Sequence, residues 1–235
     1  MTSFKTRSSQ KELIDDFNCD GEELRQTLKE LKIINKRLGG NHVTTDGIRQ
    51  LLASRPHTQE ISIADVGCGG GDMMRVMYNW AKKKKLSARF IGVDANPHTI
   101  AMAAENLRDL PNMLFEVADV FDPAFEQQSV DIVTCTLFTH HFKNEELVQM
   151  LSSFKNKACI GIIINDLHRH PLAFYSIKIL TRLFSRSRFV INDAPISVQR
   201  SFKRGELVKI LKQAGWQKFK IRWHWAFRWQ VVAWV

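Results

Sequence analysis

Two adjacent histidines, His140 and His141, follow an apolar segment at residues 130–138, and Asp166 closes the next apolar segment along the chain. An imidazole titrates near neutral pH, so it can take the proton of a phenol or an enol as the oxygen attacks an electrophile. An acid beside the ring can orient it. His140, His141 and Asp166 are therefore candidate catalytic residues. A purely structural role, in which these side chains only hold backbone groups, remains open for each of them.

A glycine-rich turn, ADVGCGGGD at residues 64–72, connects an apolar run to a helical pattern. Gly67, Gly69 and Gly71 let the backbone turn tightly and approach a ligand, because no Cβ stands in the way. Dinucleotide-binding proteins use the pattern G-x-G-x-x-G for the same purpose, but its third glycine falls on Asp72 here. A carboxylate at that position would repel a pyrophosphate. The turn therefore predicts a ligand without phosphate groups.

Two further acids follow the next two apolar runs. Asp94 ends RFIGVD at residues 89–94, where a carboxylate can accept hydrogen bonds from both hydroxyls of a ribose. Capping of a helix that starts at Pro97 is the alternative role for Asp94. Asp119 ends MLFEVAD at residues 113–119, where an adenine amino group could be recognised. Open α/β sheets bind ligands at the carboxyl edge of their strands, so these acids and the glycine turn predict one shared site.

The elements that must position these residues alternate along the chain. Short β-branched runs separated by helical patterns indicate a parallel sheet with helices on both faces. Residues 11–38 have helical spacing that is broken near Gly21 and stopped at Gly39 and Gly40, and a short second helix is predicted at 47–54. Five strands are predicted at 61–67, 89–94, 113–119, 130–138 and 159–166, with helices at 72–84, 97–109, 144–154 and 204–216. The aromatic-rich tail after residue 217 is typical of a final hairpin.

Four segments together resemble the motifs of the class I methyltransferase family: ADVGCGGGD, GVDANP, VADV and DIVTCTLFTHHF. The resemblance covers roughly residues 61–166 and, more loosely, the last helix and the hairpin. It implies an α/β, Rossmann-like sheet of seven strands, mostly parallel with the last strand antiparallel, and S-adenosylmethionine as cofactor. The cofactor contacts that it implies involve Asp65, Gly67, Gly69, Gly71, Asp94, Ala95, Asp119, Val120 and Thr136.

The remaining segments predict a cover for the acceptor. We expect an N-terminal helical cap at residues 1–55 and a methyltransferase domain at 56–235 that contains a helical cap insertion at 167–202. The insertion has an apolar helical stretch at 172–184 with basic residues beside it, namely Lys178, Arg182, Arg186 and Arg188. An apolar acceptor pocket would bury such a stretch, although packing on the sheet or a dimer interface remains open. The arrangement resembles small-molecule methyltransferases of polyketide and quinone pathways.

The function predicted from these features is methyl transfer to a small apolar or aromatic acceptor, at a phenolic or quinol hydroxyl or at an activated carbon. An RNA or protein methyltransferase is the alternative, because the chain carries a formal net charge of +10. The fourth strand lacks the N/D-P-P-Y/W pattern of enzymes that methylate base amino groups. A protein that binds the cofactor without catalysis is the third alternative, which the intact motifs disfavour.

Composition limits the remaining properties. The four cysteines stand far apart and form no C-x-x-C pair, so we predict no metal site and no disulfide framework. The N-terminal residues lack an apolar signal region, and no apolar stretch approaches the roughly 18 residues of a membrane span. A cytoplasmic location is therefore expected, with peripheral contact to an anionic membrane left open by the basic cap. The oligomeric state does not follow from the sequence.

Overall fold

The computed structural model describes residues 4–16, 19–53, 60–122, 125 and 128–235. Within these residues, seven strands form a single sheet. Strand order is β3-β2-β1-β4-β5-β7-β6. The first five strands are parallel, and β7 runs antiparallel to both β5 and β6. This confirms the predicted mostly parallel sheet with an antiparallel last strand. The strands are β1 Ile61–Val66, β2 Ala88–Asp94, β3 Met113–Val117, β4 Val130–Thr136, β5 Ala158–Leu167, β6 Lys218–His224 and β7 Arg228–Trp234.

Helices cover both faces of the sheet because successive strand residues alternate between two apolar clusters. Ile63 belongs to the cluster under one helical layer, whereas Ala64 and Val66 belong to the cluster under the other. The helices of the described residues are α1 Gly21–Arg37, α2 Gly40–Leu52, α3 Asp72–Lys83, α4 Pro97–Asn106, α5 Asn144–Lys157, α6 Pro171–Phe184, α7 Arg188–Arg200 and α8 Arg204–Gln213. Among the described residues, no helix combines the length and the apolar character that a bilayer crossing requires.

The N-terminal segment differs from its prediction in two ways. A short 3-10 turn, Leu13–Asp15, precedes α1, so the spacing over 11–38 belongs to two elements; residues 17 and 18 lie outside the described ones. The predicted stop at Gly39 and Gly40 is also the start of α2, seven residues earlier than the sequence indicated. Gly39 adopts φ 74°, a left-handed conformation that reverses the chain in one residue. Burial of Val43 against the sheet layer then outweighs the weak helix propensity of the polar residues around it.

The insertion at 167–202 contains two helices rather than the single helical stretch predicted. Ser187 begins the second, α7, since its Oγ accepts a hydrogen bond from the backbone N–H of Val190 at 3.3 Å. Its proline at position 195 had obscured the helical pattern in the sequence. Two predicted strands are also shorter: β3 ends at Val117 and β4 at Thr136, two residues before the predicted ends, which leaves Asp119 and Phe138 in the loops that follow.

Candidate functional site

A cavity of about 1130 Å³ lies at the carboxyl ends of the parallel strands. Its floor is formed by the loops after β1, β2, β3 and β4, and its walls by α1, α6 and α7 together with the turn between β6 and β7. The site was predicted at this edge of the sheet. The cavity lining includes these predicted residues: Asp65, Gly67, Gly69, Asp94, Ala95, Asp119, Val120, Thr136, His140 and His141.

The three glycines of the turn share a backbone conformation but differ in what surrounds them. Gly67, Gly69 and Gly71 all have positive φ, at 69°, 53° and 76°. A Cβ on Gly67 would lie 2.2 Å from the ring of Phe138, whereas one on Gly69 would only touch Leu28 of α1 at 3.6 Å. Gly71 is absent from the cavity lining, and a Cβ there would lie 2.7 Å from the side chain of Leu107 at the end of α4. The structure therefore gives Gly71 a packing role, and its contact with the cofactor stays a prediction.

The carboxylate of Asp94 is held at the rim of the glycine turn. Its Oδ2 accepts a hydrogen bond from the N–H of Gly69 at 3.2 Å, and its Oδ1 accepts one from the N–H of Asn96 at 3.1 Å. Burial raises the pKa of Asp94. The cap of α4 is Asn96, whose Oδ1 accepts from the N–H groups of His98 and Thr99 at 2.8 and 3.3 Å. The alternative role for Asp94 as the helix cap is therefore wrong.

Asp65 is the innermost acid of this region. It is buried near the end of β1, and its Oδ1 accepts a hydrogen bond from Oγ1 of Thr134 at 2.7 Å. Burial raises the pKa of Asp65 to about 7, and the nearby acids Asp72 and Asp94 act in the same direction. At neutral pH the group thus changes its charge readily, and a cation placed beside it would favour the ionised form.

The loops after β3 and β4 complete the floor. Asp119 Oδ1 accepts a hydrogen bond from the N–H of Phe121 at 3.0 Å, which fixes the turn that exposes Val120 to the cavity. Thr136 Oγ1 lies 3.0 Å from Oγ1 of Thr44 in α2. The contact ties the end of β4 to the helix that packs under it.

His140 forms a buried pair with Asp166. The imidazole Nδ1 lies 2.7 Å from Oδ1 of Asp166, while Oδ2 accepts from the N–H of His140 at 3.0 Å and from Oγ1 of Thr139 at 2.5 Å. Burial works against ionisation of Asp166, but its interactions with His140 outweigh it, and the pKa is lowered to about 2. An ionised carboxylate only accepts, so Nδ1 of His140 carries a hydrogen, and in the neutral form of the ring Nε2 bears the lone pair.

His141 repeats the arrangement with partners from the N-terminal segment. Its Nδ1 lies 2.5 Å from Oδ1 of Asp15, and its Nε2 lies 4.0 Å from Oε2 of Glu12. Nε2 of His140 lies 3.6 Å from Oε1 of the same Glu12, too far for a hydrogen bond, and both atoms are buried with no hydrogen-bond partner among the described residues. Burial raises the pKa of Glu12 to about 7. We call Glu12, Asp15, His140, His141 and Asp166 the histidine cluster.

The histidine cluster also groups donors that could hold a metal. The ligand atoms of Glu12, His140 and His141 lie within 4.8 Å of one another. A positive charge is already present there, since Nη1 of Arg200 lies 3.5 Å from Oε1 of Glu12 and 2.6 Å from Oδ2 of Asp15. A divalent cation would have to share these carboxylates with the guanidinium. The absence of a metal site therefore stays a prediction.

Several residues of this region were missed in the sequence. Arg7 donates to the carbonyl oxygen of His140 at 3.0 Å, Arg200 donates to the same oxygen at 3.2 Å, and Ser197 donates to Oε2 of Glu12 at 2.7 Å. In the sequence, Glu12 and Asp15 fall only within the stretch of helical spacing at residues 11–38. Their partners lie more than 120 residues away along the chain, so no spacing could have indicated them.

Arg228, the first residue of β7, is a further group that the sequence did not indicate. Its side chain is buried and belongs to the cavity lining. Nη1 donates to Oδ1 of Asn165 at 3.2 Å, and Nε has no hydrogen-bond partner in the residues that the structure describes. No carboxylate of the described residues pairs with Arg228 within 4.0 Å. Burial lowers the pKa of Arg228 to about 10, although Asp166 acts in the opposite direction.

Known proteins match the chain in sequence as well. A family described as a methyltransferase domain matches residues 63–157. The chain is similar over 199 residues to the demethylmenaquinone methyltransferases of Chlorobaculum parvum and Chlorobaculum tepidum, at 29% and 27% identity. Each match covers 76% of this chain and 78% of the relative.

Solved structures show the same fold. Human N-acetylserotonin methyltransferase in complex with S-adenosylmethionine gives a TM-score of 0.66 at 16% identity, over 96% of this chain and 59% of that chain. Magnesium protoporphyrin IX methyltransferase from Synechocystis with bound S-adenosylhomocysteine gives 0.55 at 19% identity, over 86% of each chain. The family match spans the strands whose ends form the cavity floor, and together with the relatives it shows a methyltransferase that takes its methyl group from S-adenosylmethionine; the chain resembles the class I family.

Proposed function

We propose that this methyltransferase acts on a small apolar aromatic acceptor, a phenol or a quinol, and that His140 takes the proton of its hydroxyl. Oxygen is the methylated atom in this proposal, and an activated ring carbon is the other outcome that deprotonation allows. The observation that carries the proposal is the buried Asp166–His140 pair beside a cavity walled by apolar side chains; within the described part of the chain, Nε2 of His140 has no hydrogen-bond partner.

The cavity floor fits S-adenosylmethionine, a ligand with a ribose, an adenine and an amino acid but no phosphate. The turn at Gly67 and Gly69 lets the backbone approach it, the Asp94 carboxylate suits the two ribose hydroxyls, and the loop with Asp119 and Val120 suits the adenine. When bound, the cofactor supplies an electrophilic methyl group on a sulfonium. We place its ammonium beside Asp65, since that buried carboxylate gains most from a cation.

We assign the carboxylate of the amino-acid part to Arg228. A buried guanidinium without an anionic partner is costly, so an anion from the ligand would stabilise it. Oδ1 of Asn35 converges on the same place, because a Cβ built on Gly40 would lie 1.9 Å from that oxygen and 2.8 Å from Cζ of Arg228. The amide of Asn35 is buried, and no described residue donates a hydrogen bond to its Oδ1, which adds an acceptor for the neighbouring ammonium.

The histidine cluster suits removal of a proton from an acceptor hydroxyl. Asp166 holds Nδ1–H of His140, so Nε2 is the basic atom, and the carboxylate of Glu12 faces it. An oxygen about 2.8 Å from both Nε2 and Oε1 fits beside the 3.6 Å gap between them. Proton transfer of this kind typically contributes about 10²–10⁴-fold in rate. Asp166 and Glu12 would both stabilise the imidazolium that forms.

An apolar acceptor is supported by the cavity walls. They include Leu31 and Ile34 of α1, Leu38 directly after that helix, Ile177 and Leu180 of α6, Phe189, Val190 and Val198 of α7, and the rings of Phe138, Phe142 and Phe227. We therefore propose that α1 and residues 167–202 act as the acceptor cap, whereas α2 belongs to the helical layer of the sheet. The Chlorobaculum relatives are named for a quinone, demethylmenaquinone, which supports a ring of that kind as the acceptor.

The deciding experiment is a competition between a panel of phenols and quinols and bulk tRNA, repeated at low and high salt. Methyl transfer to a phenol or quinol that changes little with salt supports the proposal, and NMR of the product identifies the methylated oxygen or carbon. Transfer to tRNA alone, lost as salt rises, would establish the RNA alternative that the net charge of +10 suggests.

A further inference from the structure

We propose that the outer face of α6 docks the enzyme on an anionic lipid bilayer. The face consists of Leu172, Tyr175, Ile179, Leu183 and Phe184 with the basic residues Lys178 and Arg182. Together with Arg186 and Arg188, which follow the end of α6, we call these nine residues the docking surface. Docking stands on this surface alone. Delivery of an acceptor from the bilayer into the cavity rests in addition on the proposed function.

Helix α6 has apolar residues on two faces, one that packs against the protein and one that is exposed. Its inner face is formed by Ala173, Phe174 and Ile177, which pack in a small apolar cluster of the cap. On the outer face Leu172 is 63% exposed, Leu183 68% and Phe184 78%. A helix that only covers a core presents polar residues outward. Contiguous exposed apolar side chains therefore indicate a partner that buries them.

The charges around the face select the partner. No Asp or Glu occurs between Leu167 and Asn192, whereas Lys178, Arg182, Arg186 and Arg188 are all exposed. A second copy of the chain would bring like charges against each other if it paired through the same face. An anionic bilayer accommodates both features, because the apolar side chains enter the acyl boundary while the basic ones meet the head groups.

The docking surface adjoins the mouth of the cavity. Leu180 of α6 is 42% exposed and Trp225, in the turn between β6 and β7, is 70% exposed, yet both also line the cavity. The two side chains thus mark where the cavity opens. Indole rings favour the boundary between water and lipid, since one end is apolar and the other polar. An apolar acceptor could pass from the bilayer into the cavity without crossing water.

The test is sedimentation with vesicles of phosphatidylcholine containing about one third phosphatidylglycerol, compared with vesicles of phosphatidylcholine alone. We expect binding to the anionic vesicles that weakens at least tenfold in the double variant Leu183→Asp, Phe184→Asp. Both side chains are exposed and lie outside the cavity lining, so the fold and the site remain intact. The matched control is Lys82→Gln, Lys83→Gln at the end of α3, which lowers the net charge by the same two units elsewhere and should bind vesicles like the wild type.

Equal binding of both double variants, or no binding of the wild type, would overturn the docking proposal. Binding to tRNA in place of vesicles, weakened by changes of Arg182 and Arg186 to Gln but not by the change at Leu183 and Phe184, would also overturn it and assign the charges to RNA. The proposed function fails separately. If vesicles bind but no phenol or quinol is methylated, docking stands and the acceptor is wrong.

Discussion

The two halves of the cavity are built in different ways. The cofactor half consists mainly of loops that follow consecutive strands, and each loop supplies its residues from a segment only a few positions long, such as Gly67 to Gly69 or Asp94 to Asn96. The remote residues proposed for this half are Asn35 and Arg228. The histidine cluster joins the loop after β4, the end of β5 and the N-terminal segment, with Arg200 of α7 across it. The first half can keep its geometry through changes elsewhere in the chain, whereas the second depends on contacts between remote segments. The predictions below test whether the halves are separable in function as well.

The largest effect is expected for His140→Gln. Turnover of a phenol or quinol acceptor should fall by about 10²–10⁴-fold, because the base is lost. Calorimetric affinity for S-adenosylhomocysteine should stay within about twofold, since no part of the cofactor half changes. His141→Gln is the matched control and should reduce turnover less. Nδ1 of His141 is paired with Asp15, which is less buried than Asp166, and its Nε2 is farther from Glu12. Full activity of both variants would show that positioning alone carries the catalysis.

Arg228→Gln separates the amino-acid part of the cofactor from the rest. Binding of S-adenosylhomocysteine should weaken by about 1.5–3 kcal/mol, the range for a hydrogen bond to a charged group. 5′-Methylthioadenosine, which lacks the carboxylate and the ammonium, should bind the variant as tightly as the wild type. That second measurement also shows that the variant is folded. Equal weakening of both ligands, or of neither, would remove Arg228 from the cofactor site.

Asp94→Ala should act on both ligands alike. The loss of charge-assisted hydrogen bonds to the ribose should cost about 1–3 kcal/mol in calorimetry. The expected micromolar affinity of the wild type corresponds to roughly −8 kcal/mol. Tighter binding of NAD than of S-adenosylhomocysteine would contradict the cofactor half as a whole.

The affinity for S-adenosylhomocysteine should also depend on pH through Asp65. The pKa of this carboxyl is about 7 in the free protein, and the ligand ammonium favours the ionised form. Below pH 7 binding must therefore release a proton, so affinity should fall as pH decreases, by up to about tenfold per pH unit. Above pH 7 the group is already ionised and the dependence should level off. Asp65→Asn should flatten the profile, and an affinity that increases toward acid would reverse the assignment.

Chelation should have the smallest effect. With Arg200 supplying the positive charge beside Glu12, EDTA should leave turnover unchanged. A loss of turnover that returns with Zn²⁺ or Mn²⁺ would show that the histidine cluster binds a metal and that an acceptor oxygen is activated there in another way.

How far the sequence could predict this enzyme follows from the same division. The glycine turn and Asp94 could be located because a strand, a turn and a helix follow each other directly, and the sheet topology brings such turns to one edge. The link between His141 and Asp15 spans 126 residues and that between Arg200 and Asp15 spans 185, and no local pattern encodes either. The early start of α2 escaped prediction because packing outweighed weak local helix propensity. The second cap helix escaped prediction because its internal proline obscured the helical pattern.

The single reversed strand also affects when the site can exist during synthesis. Because β7 runs against its neighbours, it begins at the edge where the parallel strands end, and this alone lets Arg228 reach the cavity. It is also the last strand along the chain, after every residue of the cap. A ribosome that adds about 5–20 residues per second therefore makes the glycine turn many seconds before Arg228. If Arg228 holds the ligand carboxylate as proposed, a growing chain lacks that contact, and we expect full affinity for the methyl donor only after β7 has inserted between β5 and β6.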